Sequence, residues 1–405
     1  MTAPGRGETT HVFIWNAVSL LAGLTVGIIT ARALAPGDRG ILALIVTLTA
    51  VCALISALGT NVSFRAFVAK DPRITVRNYL ALTSKLAALQ SFVVIIGSII
   101  CGFLVAPEFF SFSVIVPCLL LGVVAFYSNQ ILDALNGLGK LSRSAQLNAL
   151  GGVVTACLLL SSWWIGTSLL AATLAYAGGF AFRAVVGFAL LRQELRAQQT
   201  DRIGQQLLVT EGLKFSGYGL GQFLTFRVDQ FILGGLLDVR SVGLYAVAST
   251  PPAVMQVASN SIGQVLLRDA AHGRGDRKRY VTGVLLAVAI TALFSVALVA
   301  TSDWLIPLVF GAEYADAVEL VQILAIGQIV LAPYLVLSRV AIGLGRSRLV
   351  SASSLAGLGV AVVAALLFIS AYGVVGVAWA SVLTCTVLSA YVSVGLIVRP
   401  TARKP

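Results

Sequence analysis

Gly137-Leu138-Gly139-Lys140 recurs 206 residues later as Gly343-Leu344-Gly345-Arg346. Each copy is followed by an apolar stretch with a glycine at the same offset, Gly151 and Gly357. Upstream, Leu34-x5-Gly40-Ile41-Leu42-Ala43 recurs 203 residues later as Leu237-x5-Gly243-Leu244-Tyr245-Ala246. The chain is therefore two halves on one plan. Nearly every element in both is long and apolar enough to cross a bilayer. A membrane protein of two similar halves is first a transporter candidate, because substrate sites lie between such repeats.

Composition agrees. Of 405 residues, 58% are hydrophobic and 11% charged, against about 25% charged in soluble domains. Mean hydropathy is +0.95. The net charge of +12 would fit a nucleic-acid partner, but the charges sit in short segments between apolar runs, as in cytoplasmic loops, so no nucleic acid is expected. Cys52, Cys101, Cys118, Cys157 and Cys385 fall inside apolar stretches without metal spacing and read as buried packing residues. His11 and His272 lie at span edges. No metal or cofactor is expected.

A span needs about 20 mostly apolar residues. Twelve fit: 12–34, 40–60, 79–105, 112–135, 143–164, 167–191, 213–237, 241–266, 280–301, 317–340, 347–370 and 373–397. The first resembles a signal peptide ending at Ala31-Arg32-Ala33, but it exceeds a typical apolar core and its counterpart lies mid-chain, so it reads as a retained helix. With a cytoplasmic N-terminus, 21 of the 28 Lys and Arg fall in cytoplasmic segments and only Arg32, Arg39 and Arg240 in external loops. That bias predicts both termini inside. Six spans per half make the repeats parallel. The fold class expected is an all-α polytopic membrane protein of two six-helix lobes, 1–196 and 213–405, joined by a cytoplasmic linker, 197–212.

Departures from the repeat point to chemistry. In helix 7, Tyr218, Gln222, Thr225 and Asp229 are spaced four, three and four, and so share one face of a continuous helix. Helix 1 has Trp15, Ser19, Ala22 and Val26 instead. A charge at the bilayer centre costs at least about 2.5–3.5 kcal/mol. Asp229 therefore either lines a cavity as an ion or proton site or pairs with a buried arginine. Lys85, Arg183, Arg227 and Arg339 also lie within spans, against chiefly Asp133 and Asp229. That excess points to an anionic ligand such as a phosphate or diphosphate, with snorkelling to the surface as the bland alternative. Asn129, Asp133 and Asn136 read as a solvated helix end. Pro251-Pro252 falls inside helix 8 and predicts a kink there, which marks helices 7 and 8 as the site-forming pair. No Walker motif or hydrolase signature is present and external loops are short, so no ATP engine and no enzyme active site is expected.

These segments resemble a known family. Arg227-Val228-Asp229-Gln230-Phe231-Ile232-Leu233-Gly234, then Val242-Gly243-Leu244-Tyr245-Ala246-Val247, is similar to its seventh-helix motif. Phe310-Gly311-Ala312-Glu313-Tyr314-Ala315 resembles its loop before helix 10, and Gly343-Leu344-Gly345-Arg346 its turn before helix 11. The family is the polysaccharide-export flippases of the multidrug/oligosaccharidyl-lipid/polysaccharide exporter superfamily. The resemblance spans the chain. It implies a partly cationic cavity in a bacterial inner-membrane protein that flips undecaprenyl-diphosphate-linked oligosaccharide outward, among membrane lipids and beside polysaccharide polymerase or ligase machinery. On that reading Arg183, Arg227 and Lys85 hold the diphosphate, Gln222 and Tyr218 face the sugars, and Asp229 couples an ion. A cation-coupled drug exporter of the same superfamily and a membrane enzyme of the same sugar pathway are the rival readings.

Overall fold

The computed structural model describes residues 6–164, 166–196, 202–273 and 275–398, and among these it is helical with no strand. The first half holds α1 (Arg6–Ala33), α2 (Pro36–Ser56), the short α3 (Thr60–Phe67), α4 (Val76–Leu104), α5 (Phe112–Gly137), α6 (Leu141–Trp163) and α7 (Leu169–Arg196). The second holds α8 (Arg202–Thr225), α9 (Val228–Leu236), α10 (Val239–Ala248), α11 (Thr250–Ala271), α12 (Arg277–Phe310), α13 (Ala317–Gly343) and α14 (Ser347–Val398). Nine helices among the described residues are long and apolar enough to cross a membrane. α14 is two of the expected spans in one, because Gly373 turns the chain at φ 56°, ψ −134°. The α8–α9 and α10–α11 pairs are two more spans, each broken. The expected set of twelve is thereby accounted for, and the protein is a multi-pass membrane protein.

The chain divides into two compact units, Met1–Leu220 and Gly221–Pro405. Within each, equivalent helices pack in equivalent pairs: α1 on α6 corresponds to α9 on α14, α4 on α5 to α12 on α13, and α5 on α7 to α13 on α14. The repeated turns explain why. Gly139 and Gly345 take φ of 77° and 75°, a left-handed conformation open to glycine at little cost. In each copy the residue after the glycine donates its amide back five residues, Lys140 to the Leu135 carbonyl at 2.9 Å and Arg346 to that of Ala341 at 2.8 Å. The glycine itself bonds three back, to Asn136 and Ile342. These are paired Schellman caps. Two Gly-Leu-Gly turns close two helices with the same hydrogen bonds.

Of the segment 197–212, residues 197–201 lie outside the described residues and the rest opens α8, whose first part belongs to the first unit. Gly59, at φ 68°, faces Gly212 so closely that a Cβ on Gly59 would stand 2.1 Å from the Gly212 carbonyl oxygen. Ser63 Oγ donates to the Leu208 carbonyl at 2.8 Å, and Lys85 Nζ to Gln205 Oε1 at 2.7 Å. α3 also corrects the reading of Asp133. Its carboxylate accepts from Asn61 Nδ2 at 3.0 Å and faces Arg65 at 3.5 Å, so it anchors α3 rather than simply solvating a helix end. Phe64 of α3 stacks on Tyr79 with centroids 4.4 Å apart, and both rings are fully buried.

Two surface assignments change. Arg39, expected in an external loop, lies in the first turn of α2 and is 8% exposed. Cys157 is exposed, whereas the other four cysteines are buried as expected. Its side chain points away from the α6 packing face.

Candidate functional site

Helix 7 does not run straight from 213 to 237. Phe226 and Arg227 donate their amides only three residues back, to Phe223 and Leu224, and Arg227 takes φ −139°, ψ −10° as the residue that opens α9. The polar face read from the spacing therefore ends at Thr225, whose hydroxyl donates to the Gly221 and Ser354 carbonyls at 2.8 and 2.9 Å. Asp229 is turned onto a new segment, in the first turn of α9, where an acid is favoured by the helix dipole. Helix 8 is also divided, but not inside a kinked helix as Pro251-Pro252 predicted. α10 ends at Ala248 and the prolines occupy the first turn of α11, a position where a missing N–H removes nothing the helix would use. Pro117 and Pro333 sit inside unbroken helices.

The two breaks border one cavity of about 260 Å³ in the second unit. Arg227, Asp229 and Gln230 enter it from the helix-7 break, Tyr245 and Gln256 from the two parts of helix 8, Gln328 from α13, and Ser381 and Thr384 from α14. Tyr245 hydroxyl and Ser381 Oγ are 2.8 Å apart, and the same hydroxyl interacts with the Asp229 carboxylate. Asp229 Oδ1 also accepts the Gln230 amide at 2.8 Å. Gln328 Oε1 is buried with no hydrogen-bond partner, an arrangement that costs about 1–3 kcal/mol unless something fills it. A carboxylate, two hydroxyls and an unused amide oxygen, gathered where backbone ladders are interrupted, can hold a small cation or pass a proton. Among the described residues no cluster of three His, Cys, Asp or Glu forms a metal centre.

The expected cations separate. Arg227 is exposed and lies at the cavity, close enough to Asp229 for charge interaction. Lys85 is exposed and bonded to Gln205 in the first unit. Arg183, also in the first unit, is 9% exposed. Its stem lies across Gly151 of α6, where a Cβ would stand 2.4 Å from it. Its guanidinium donates to Asn148 Oδ1 and sits 4.2 Å from the Phe180 ring centroid, while Asn148 Nδ2 donates to Ser19 Oγ on α1 at 2.9 Å. Arg183 thus ties α1, α6 and α7 together. Gln222 is half-buried on α8, outside the cavity lining, and the Tyr218 side chain lies outside the described residues. Sequence reasoning missed Asn148, Gln256, Gln328, Ser381 and Thr384. Ser381 and Thr384 share a helix face, but serine and threonine are common in apolar helices and nothing in the spacing distinguishes them. Tyr245 was legible only as part of a repeated motif, where the first half carries Leu42.

No curated relative matches the sequence. Solved structures share the fold over nearly the whole chain. A lipid II flippase MurJ in an inward closed conformation is 13% identical with a TM-score of 0.72, covering 97% of this chain and 88% of that one. An inward-facing multidrug resistance MATE family transporter of the MOP superfamily is 17% identical with a TM-score of 0.67, over 94% and 93%. A MOP superfamily transporter from Pyrococcus furiosus, noted for the reverse polarity of its binding pocket, is 15% identical with a TM-score of 0.59, over 96% and 94%. The fold is that of MOP-superfamily transporters and flippases. Residues 9–267 match the family described as Polysaccharide biosynthesis protein, and with more than half of its length so matched the chain belongs to that family.

Proposed function

We propose that the protein flips an undecaprenyl-diphosphate-linked oligosaccharide from the cytoplasmic to the outer leaflet of a bacterial inner membrane by alternating access, for surface polysaccharide synthesis. The observation that carries this reading is the broken helix 7 of a polysaccharide-family chain, which sets Arg227 and Asp229 side by side at a polar cavity. Arg227 is the guanidinium free to meet a diphosphate, through paired donors. Lys85, bonded to Gln205, and Arg183, bonded to Asn148, are engaged within the first unit. Asp229, with Tyr245 and Ser381, is the proton or cation site that couples transport. Both termini are cytoplasmic and the two six-helix halves are the moving lobes. An inside-negative potential favours outward movement of an anion by about 2.3 kcal/mol per charge per 100 mV, so the membrane potential helps drive export without ATP. The polymerase or ligase that consumes the exported sugar is the expected partner.

The test is the leaflet orientation of the lipid-linked sugar in cells lacking the protein. Intermediate trapped on the cytoplasmic face supports flipping; intermediate that reaches the outer face normally overturns it. A carboxylate in a cavity of a MATE-like fold also favours a second reading, cation-coupled drug export. A drug-sensitivity panel on the same cells separates the two.

A further inference from the structure

Away from the Asp229 cavity, the Arg-rich end of the second unit carries a groove of about 490 Å³ between α12, α13 and α14, within the roughly 300–1,000 Å³ of ligand pockets. Its walls are apolar and come from one face of each helix: Val284 and Leu285 of α12, Leu337 and Val340 of α13, and Leu396 of α14. Its mouth is different. Arg277, Arg346 and the Tyr280 ring stand there, with the Tyr280 hydroxyl folded over Gly275 so that a Cβ on that glycine would lie 2.1 Å away. Arg346 is held in place by donating to the Gly395 carbonyl at 2.7 Å. Arg277 is exposed and forms no ion pair or hydrogen bond among the described residues. The neighbouring acids are engaged elsewhere: Asp276 caps α12 through the Arg279 amide at 2.8 Å, and Asp269 pairs with Arg279 at 2.9 Å.

We propose that this groove is a site for a glycerophospholipid with an anionic headgroup, one acyl chain along α12–α14 and the phosphate at Arg277 and Arg346. An apolar trough that opens at two guanidinium groups matches a lipid of that kind in both parts: the hydrocarbon takes the walls, and a phosphate accepts paired donors at the mouth. Basic pockets between membrane helices bind such headgroups at the level of the bilayer surface. Leu285 is 63% exposed, so the trough is open along its length to a chain arriving from the bilayer. The site is separate from the transport cavity and does not depend on what the cavity carries.

The experiment is native mass spectrometry of the full-length protein in detergent, titrated with palmitoyl-oleoyl phosphatidylglycerol and with the matching phosphatidylcholine. One phosphatidylglycerol should bind the wild type about fivefold more tightly than phosphatidylcholine, the factor one guanidinium contributes at an anionic surface. Arg277→Gln should abolish that preference. Leu285→Trp, at an exposed position that tolerates a larger side chain, should weaken binding of both lipids. Arg348→Gln, on the adjacent surface but outside the groove, should change neither. Equal affinity for the two lipids, an Arg277→Gln protein that keeps the preference, or undecaprenyl phosphate binding more tightly than phosphatidylglycerol at the same residues would each overturn the assignment.

Discussion

Helix 1 runs unbroken from Arg6 to Ala33, whereas its repeat counterpart is divided at Arg227 into α8 and α9. Both derive from one plan and both pack on an equivalent partner, α6 and α14. What differs is the burial of charge. Helix 1 presents Ala22 and Val26, each 6% exposed, to its neighbours; helix 7 presents Thr225 and Asp229 at the same places, and the backbone opens beside them. An apolar helix has no reason to give up ladder hydrogen bonds in a membrane, because each lost bond costs free energy. A helix that must deliver a carboxylate to a cavity does. The second unit has exchanged regularity for a polar site, and the first has kept regularity and tied itself with Arg183.

The sharpest way to break this comparison is to treat the two helices alike. Asp229→Ala should lower export at least about tenfold, equivalent to ~1.4 kcal/mol on the transport barrier, while Val26→Ala changes it little. Removing the charge makes helix 7 cheaper to insert, so a loss cannot be blamed on poor insertion. Export of surface polysaccharide, normalised to membrane protein level, is the readout. Similar losses from both substitutions would show that the division of helix 7 carries no function.

A second prediction concerns what holds the start of helix 7. Gly59→Ala puts a side chain at φ 68° and 2.1 Å from the Gly212 carbonyl, combining a left-handed penalty of about 1–2 kcal/mol with overpacking of about 1–3 kcal/mol. A large fall in the melting temperature of the solubilised protein is expected. A melting temperature equal to wild type would mean that α8 is not fastened to α3 as described.

The span count and the glycine turns were legible because each depends on local sequence: apolar length and a repeated Gly-x-Gly. The cavity was legible only in part. Asp229 and Arg227 announce themselves as charges where charge is expensive. The break before Arg227 does not, because no proline or glycine stands at Phe226-Arg227, and the groups that hold its two sides, Ser354 on Thr225 and Tyr245 on Asp229, lie far away in sequence. The same applies to Arg183. Its position inside a span was visible, but its acceptor, Asn148, lies 35 residues away on another helix. Asn148→Ala should therefore destabilise the first unit by about 1–3 kcal/mol, the cost of a buried donor left unpaired, and Asn148→Asp should restore or exceed wild-type stability by pairing the charge. Thermal melting of both variants checks it; a neutral Asn148→Ala would remove Arg183 from its role as a tie.

The smallest effects test the part of the molecule where the halves agree. Gly139 and Gly345 share a left-handed φ, and a Cβ on either would meet open space. Alanine at each site should then cost only the conformational penalty, about 1 kcal/mol, and the two costs should match. The same substitution at Gly137 or Gly343 behaves differently, because a Cβ there would stand 2.6 Å from the Phe64 ring and 2.5 Å from the Leu267 carbonyl, respectively. A ring can shift and a helix backbone cannot, so Gly343→Ala should destabilise more than Gly137→Ala. Equal penalties at 139 and 345 with unequal ones at 137 and 343 would show that the repeat conserves the turn itself, and that each half has adapted only the surface the turn rests on. Unequal penalties at 139 and 345 would mean the likeness of the two caps ends at their hydrogen bonds.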